Sequence, residues 1–158
     1  MWAKTGGFPD RMRLKNNATL SGAPDHGMLE APAGHDCSVI VTHRRFEGRE
    51  LSALNRATLA YNEPLSQSGW AAVWRHFDER GLRIGTRIQS GAHRESARLV
   101  ADGTAAFAAL AVTSWHLMQR PAAFADTLVV VTPTTPPPPL PFISARHQQA
   151  PRTHKAVH

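Results

Sequence analysis

Two serines stand two positions apart in the run Tyr61-Asn62-Glu63-Pro64-Leu65-Ser66-Gln67-Ser68-Gly69. An apolar run, Ala57-Thr58-Leu59-Ala60, precedes it, and helical periodicity follows at Trp70, Val73, Trp74 and Phe77. A strand, a turn and a helix start in that order present unpaired backbone N–H groups to an anion. Ser66 and Ser68 can add hydroxyl donors, and Gly69 leaves the first turn bare for close approach. The same residues also read as helix punctuation, with one serine as the cap and Pro64 shaping the turn. The sequence alone leaves both readings open.

Small hydroxyl residues recur at two further strand-to-helix junctions, Ser90 and Thr113/Ser114. In an open α/β sheet, ligands gather where the carboxyl ends of strands meet helix N-termini, so these junctions on one edge would form a donor-rich cleft. His93, in the first turn of the next helix, can donate to an anion or stand simply as a helix N-terminal histidine.

Other chemistry is missing. No Gly-x-Ser-x-Gly elbow, phosphate loop or dinucleotide fingerprint occurs, and no triad-like pattern surrounds Ser68 or His93, so an enzyme is not expected. His26, His35, Cys37 and His43 fit no standard zinc spacing. Neither a metal nor a cofactor is expected.

These residues need a scaffold, and the chain of 158 residues is long enough for one ordinary core. Hydrophobic residues make up 42% and charged residues 19%, a globular balance. A single cysteine, Cys37, excludes an internal disulfide framework. The net charge of +6 and pI near 10.7 permit anionic partners. Yet the basic residues are interleaved with Glu47, Glu50, Asp78, Glu79 and Glu95, so no specific nucleic-acid footprint is expected. No apolar run is long enough for membrane insertion, and Met1–Leu20 lacks the apolar core of a secretion signal.

Strands are expected at Ser38–Thr42, Thr58–Tyr61, Arg83–Ile88, Ala105–Ala111 and Thr127–Thr132. Helices are expected at Ser68–Arg80, Ala92–Ala101 and Ser114–Gln119, with one helical turn at Leu51–Arg56. The alternation implies a mainly parallel α/β sheet. Trp74 reads as core, and Trp70 or Trp115 as cleft-lining. Residues 1–37 read as irregular, Pro133–Pro141 as an extended connector, and 146–158 as a disordered tail.

Several of these pieces together resemble the substrate-binding proteins of phosphate/phosphonate-type ABC transporters. They are Gly6-Gly7-Phe8-Pro9, Ser38–Val41, Tyr61–Trp70, Ser90-Gly91-Ala92-His93, Gly103–Trp115 and Leu140-Pro141-Phe142-Ile143, in that order. The resemblance implies a type II periplasmic binding fold, with a nearly complete second lobe and fragments of the first. It places an irregular first-lobe remnant at 1–37 and a crossover strand and linker at 38–56. The second α/β lobe is then 57–126, and the return crossover and proline-rich connector 127–145. It also implies that Ser66, Gln67, Ser68, Gly69, Ser90, His93 and Ser114 bind a small oxyanion (phosphate, phosphite or phosphonate), and that permease subunits are partners. The family's acidic positions in the Gly103–Trp115 motif fall on Ala106 and Ala111, which carry no carboxylate. The missing segments suggest truncation at both ends. Location would then be periplasmic by resemblance, or cytoplasmic if the chain is complete. The competing expectation is a non-functional remnant or small basic protein that binds polyanions nonspecifically.

Overall fold

The computed structural model describes residues 2–4, 18–22, 37–120, 123–136 and 142–145. In chain order the strands are β1 (Trp2–Lys4), β2 (Ala18–Gly22), β3 (Ser38–His43), β4 (Leu59–Tyr61), β5 (Arg87–Gln89), β6 (Phe107–Ala111), β7 (Leu128–Pro133) and β8 (Phe142–Ala145). The α-helices are α1 (Ala72–Asp78), α2 (His93–Ala101) and α3 (Val112–Gln119). A π-helical turn, Gln67–Ala71, leads into α1. Short 3-10 turns lie at Arg44–Phe46, Leu51–Leu54 and Ala123–Thr127. None of the described helices is long and apolar enough to cross a membrane.

The chain divides into two units, one of residues 1–36 with 137–158 and the other of residues 37–136. In the first unit β1 and β2 flank β8, and both pair with it antiparallel. The expectation of an irregular opening therefore fails at Trp2–Lys4 and Ala18–Gly22. Their partner, Phe142–Ala145, lies more than a hundred residues further along the chain, beyond the reach of any local pattern. The expected tail at 146–158 lies outside the described residues.

The second unit is a five-stranded sheet in the order β5-β4-β6-β3-β7. β4 runs parallel to β5 and β6, whereas β3 runs antiparallel to both β6 and β7. The pairing is mixed, not mainly parallel. The reason is that the alternation of strand and helix begins only after β3. The helix-linked strands β4, β5, β6 and β7 all share one direction, and β3 alone is reversed, inserted between β6 and β7.

Burial explains why β3 takes that central place. Val39, Ile40 and Val41 are β-branched and buried on both faces, as a strand covered on each side requires. Ile40, Leu59, Val73, Phe77 and Phe107 form the core between sheet and α1. The rings of Phe77 and Phe107 stack with centroids 5.1 Å apart. Each buried ring of that size contributes roughly 1.5–3 kcal/mol relative to exposure.

The helices fall within a few residues of their expected positions. β5 is shorter than the expected strand at Arg83–Ile88. Residues 83–85 instead bond to the preceding turn, with Arg56 N–H donating to the Arg83 carbonyl and Gly85 N–H to the Ala57 carbonyl. A side chain at Gly85 would run into the Arg56 carbonyl, so the backbone there packs against backbone. Trp74 is not core: it is 53% exposed, while Val73, His76 and Phe77 fill the buried face of α1. Trp115, a candidate cleft residue, is buried.

Candidate functional site

The carboxyl ends of β5, β4 and β6 lie on one edge of the sheet, because these neighbours are mutually parallel. Each end leads into a helix: β4 into the π-turn and α1, β5 into α2, and β6 into α3.

At the first junction Ser66 is the cap. Its backbone is extended, and its Oγ accepts the Gly69 N–H at 2.9 Å. The reading of helix punctuation thus belongs to Ser66, which is buried. The turn it starts is wide. Ala71 N–H reaches back five residues to the Ser66 carbonyl at 3.0 Å, and Ala72 N–H bonds to Gln67. Such π-turns recur at functional sites because they re-aim side chains and backbone groups. Gln67 and Ser68, both half-buried, occupy the first two positions of this turn, where N–H groups have no earlier carbonyl of the helix to meet.

Ser68 does not cap. Its Oγ lies 2.9 Å from His93 Nε2, which ties the π-turn to the first residue of α2. In a neutral imidazole one ring nitrogen donates and the other accepts, so this is a single bond of either sense. Burial pushes the His93 pKa below its usual value, and the Ala109 carbonyl offsets part of that shift. No bond of full hydrogen-bond geometry closes on the buried His93 Nδ1, so the carbonyl acts on the ring as a nearby dipole. His93 is accordingly neutral near pH 7.

Gly69 sits beneath this bridge. A Cβ there would collide with the Asn62 carboxamide and come within 3.3 Å of His93 Cε1. Only glycine lets the Asn62 side chain and the imidazole lie against the turn. Asn62 Oδ1 is buried with no hydrogen-bond partner among the described residues. Beside it, Tyr61 and Trp70 pack with centroids 5.1 Å apart, and the Arg87 guanidinium lies 5.6 Å from the Trp70 ring.

The remaining expected site residues divide. Ser90 Oγ meets the Tyr61 carbonyl at 3.1 Å, the Ala92 carbonyl at 3.0 Å and Ser96 Oγ at 2.7 Å. With one hydroxyl proton, Ser90 is engaged in bracing the ends of β4 and β5. Ser114 stands half-buried in the first turn of α3, after β6. The structure thus brings Ser66, Gln67, Ser68, Gly69 and His93 together, with Ser90 as a brace behind them. Sequence reasoning passed over Asn62 and Ser96. The signal for Ser96 was a polar residue three positions after His93 on an otherwise apolar helix face, where it is wholly buried. No group of three or more metal-ligating side chains gathers among the described residues.

The family described as "ABC transporter, phosphonate, periplasmic substrate-binding protein" matches residues 21–158. No curated protein matches the chain. Among solved structures, PhnD1 from Prochlorococcus marinus (MIT 9301), in complex with methylphosphonate, superposes with a TM-score of 0.78 at 17% identity, over 99% of this chain and 62% of that one. XAC2383 from Xanthomonas citri, bound to ATP, gives 0.77 at 16% identity, again over 99% of this chain and 62% of that one. A binding protein component of an ABC phosphonate transporter (PA3383) from Pseudomonas aeruginosa gives 0.71 at 12% identity, over 98% and 54%. The fold is that of type II periplasmic binding proteins, and the chain spans less than two thirds of the length of these three. The chain belongs to the phosphonate family of periplasmic substrate-binding components of ABC transporters, which are not enzymes.

Proposed function

We propose that this chain binds a small oxyanion, a phosphonate or its relatives phosphate and phosphite, at the N-terminus of the π-turn, for delivery to permease subunits. The observation that carries this reading is the Ser68–His93 bridge at 2.9 Å, set over a glycine that admits no side chain. The N–H groups of Gln67 and Ser68 open the helix, where the partial positive charge of the aligned peptides favours an anion. Ser68 adds a hydroxyl, its proton left for the anion when His93 donates its Nε2–H to the Ser68 oxygen. Ser66 keeps the turn in shape, and Ser90 holds the two strand ends that carry it. Methylphosphonate bound to the PhnD1 relative supports phosphonate as the ligand class.

Each charge-assisted hydrogen bond to the anion contributes roughly 1.5–3 kcal/mol. Ser68→Ala should therefore weaken binding about tenfold or more while leaving the helix cap intact. Calorimetric titration of the wild type, Ser68→Ala and His93→Ala with methylphosphonate, phosphate and phosphite, at low and moderate salt, tests this. Indistinguishable affinities for all three proteins would overturn the site assignment.

A further inference from the structure

At the other end of α1 a second histidine is buried without any part in the anion site. His76 is 2% exposed and lies on the core-facing side of the helix. Its Nδ1 accepts the backbone N–H of Thr135 at 3.1 Å and lies 3.4 Å from Thr135 Oγ1. The Thr135 hydroxyl donates to Glu79 Oε2 at 3.1 Å, and Arg75 holds the other Glu79 oxygen at 2.7 Å. Thr135 follows β7, two residues before the chain passes into the other unit at residue 137. The preceding Thr134 is already fastened to β3, its N–H donating to the Ser38 carbonyl at 2.7 Å.

We propose that His76 is a proton-sensitive tie that positions the segment by which the chain leaves the second unit, holding it to α1 when neutral and releasing it when protonated. An Nδ1 that accepts from a backbone N–H carries no proton, so the ring proton sits on Nε2, which is buried with no hydrogen-bond partner among the described residues. A proton added to Nδ1 would set one N–H against another. The bond to Thr135 would then be lost, and both ring nitrogens would be left as buried donors.

The groups around the ring come from three places, two of them charged. Arg75, Glu79 and Arg80 follow on or just after its own helix, with Arg80 Nη1 donating to the His76 carbonyl at 3.0 Å. Arg49 and Glu50, ahead of the Leu51–Leu54 turn, line with His76 a cavity of about 350 Å³. Val131 and Thr132 of β7 close it without charge. Burial, and next the Arg80 charge, lower the His76 pKa below its usual value, while Glu79 offsets part of this. The tie is therefore closed at neutral pH and opens only on acidification. Glu79 is held below the usual carboxylate range by its bonds to Arg75 and then Thr135.

The inference stands independently of anion binding. Its test is NMR of the full chain from pH 7.5 downwards, following the His76 ring resonances and the exchange protection factor of the Thr135 amide. The expected result is a loss of protection at Thr135, tenfold or more, that tracks the titration of His76. His76→Asn, whose carboxamide oxygen replaces Nδ1 as a non-titrating acceptor, should keep Thr135 protected over the same range. Thr135 protection that stays constant while His76 titrates in the wild type would overturn the proposal, as would the same pH dependence in a folded His76→Asn variant. Should the variant not fold, the wild-type comparison alone decides.

Discussion

A neutral imidazole bonded to one hydroxyl has a fixed account with it: one proton between two heavy atoms. Protonation of His93 changes that. Both ring nitrogens become donors, so Nε2 must donate to Ser68, and the Ser68 hydroxyl proton is free for a third partner. An oxyanion at the turn favours that charged state, so binding should raise the His93 pKa from the lowered value that burial gives it. The sign follows from linkage. If the complex takes up a proton, affinity rises as pH falls through the pKa of the complex, and levels off below that of the free protein. Methylphosphonate titrations between pH 8 and 5 should show this rise, with His93→Gln subtracting the ligand's own protonation. A variant as pH-dependent as the wild type would count against it. For folding the sign is the reverse. His76 and His93 both have depressed values, so the stability they contribute is present above pH 6.5 and declines as pH falls toward the folded values.

At the scale of the element, α1 shows what a sequence pattern can and cannot fix. Its existence and bounds were legible because Val73 and Phe77 recur at helical spacing and turn residues enclose it. Its rotation was not. Trp74 shares that spacing and reads as core in the sequence, yet the buried face instead includes the polar His76. What decides are partners further along the chain: Phe107 of β6 stacks on Phe77, and the Thr135 backbone N–H donates to His76. Trp74 is left half exposed and lines, with Arg83, Ile84 and Arg87, a cavity at the sheet edge. Phe77→Ala should therefore cost about 3–5 kcal/mol, the range for truncating a buried aromatic. Trp74→Ala should stay within about 0.5–1 kcal/mol, as for surface substitutions. Thermal or denaturant unfolding of the two variants makes the comparison; equal losses would contradict the assigned rotation. The site was legible in a similar, partial way. The motif around Ser66–Gly69 announced a helix start. That Ser66 would cap while Ser68 reached His93 depends on the π-turn, whose extra residue no local preference specifies.

At the scale of the whole molecule, the order of weak motifs along the chain pointed to the family more firmly than any one site residue did, since each motif alone is ordinary turn chemistry. The direction of β3 escaped because the alternation rule speaks only of strands joined by helices. That reversed strand has a further consequence, for the timing of folding. β3 emerges from the ribosome first among the strands of its sheet and is enclosed last. Its neighbours on either side are β6 and β7, and the bond from Ser38 N–H to Thr134 Oγ1 spans 96 residues. At roughly 5–20 residues per second, several seconds of synthesis separate β3 from its second partner. Contacts so distant place refolding in the slow class, on the order of milliseconds to seconds, which stopped-flow fluorescence of the tryptophans would measure; a microsecond relaxation would contradict it. Until residue 133 is made, the middle of the sheet cannot close.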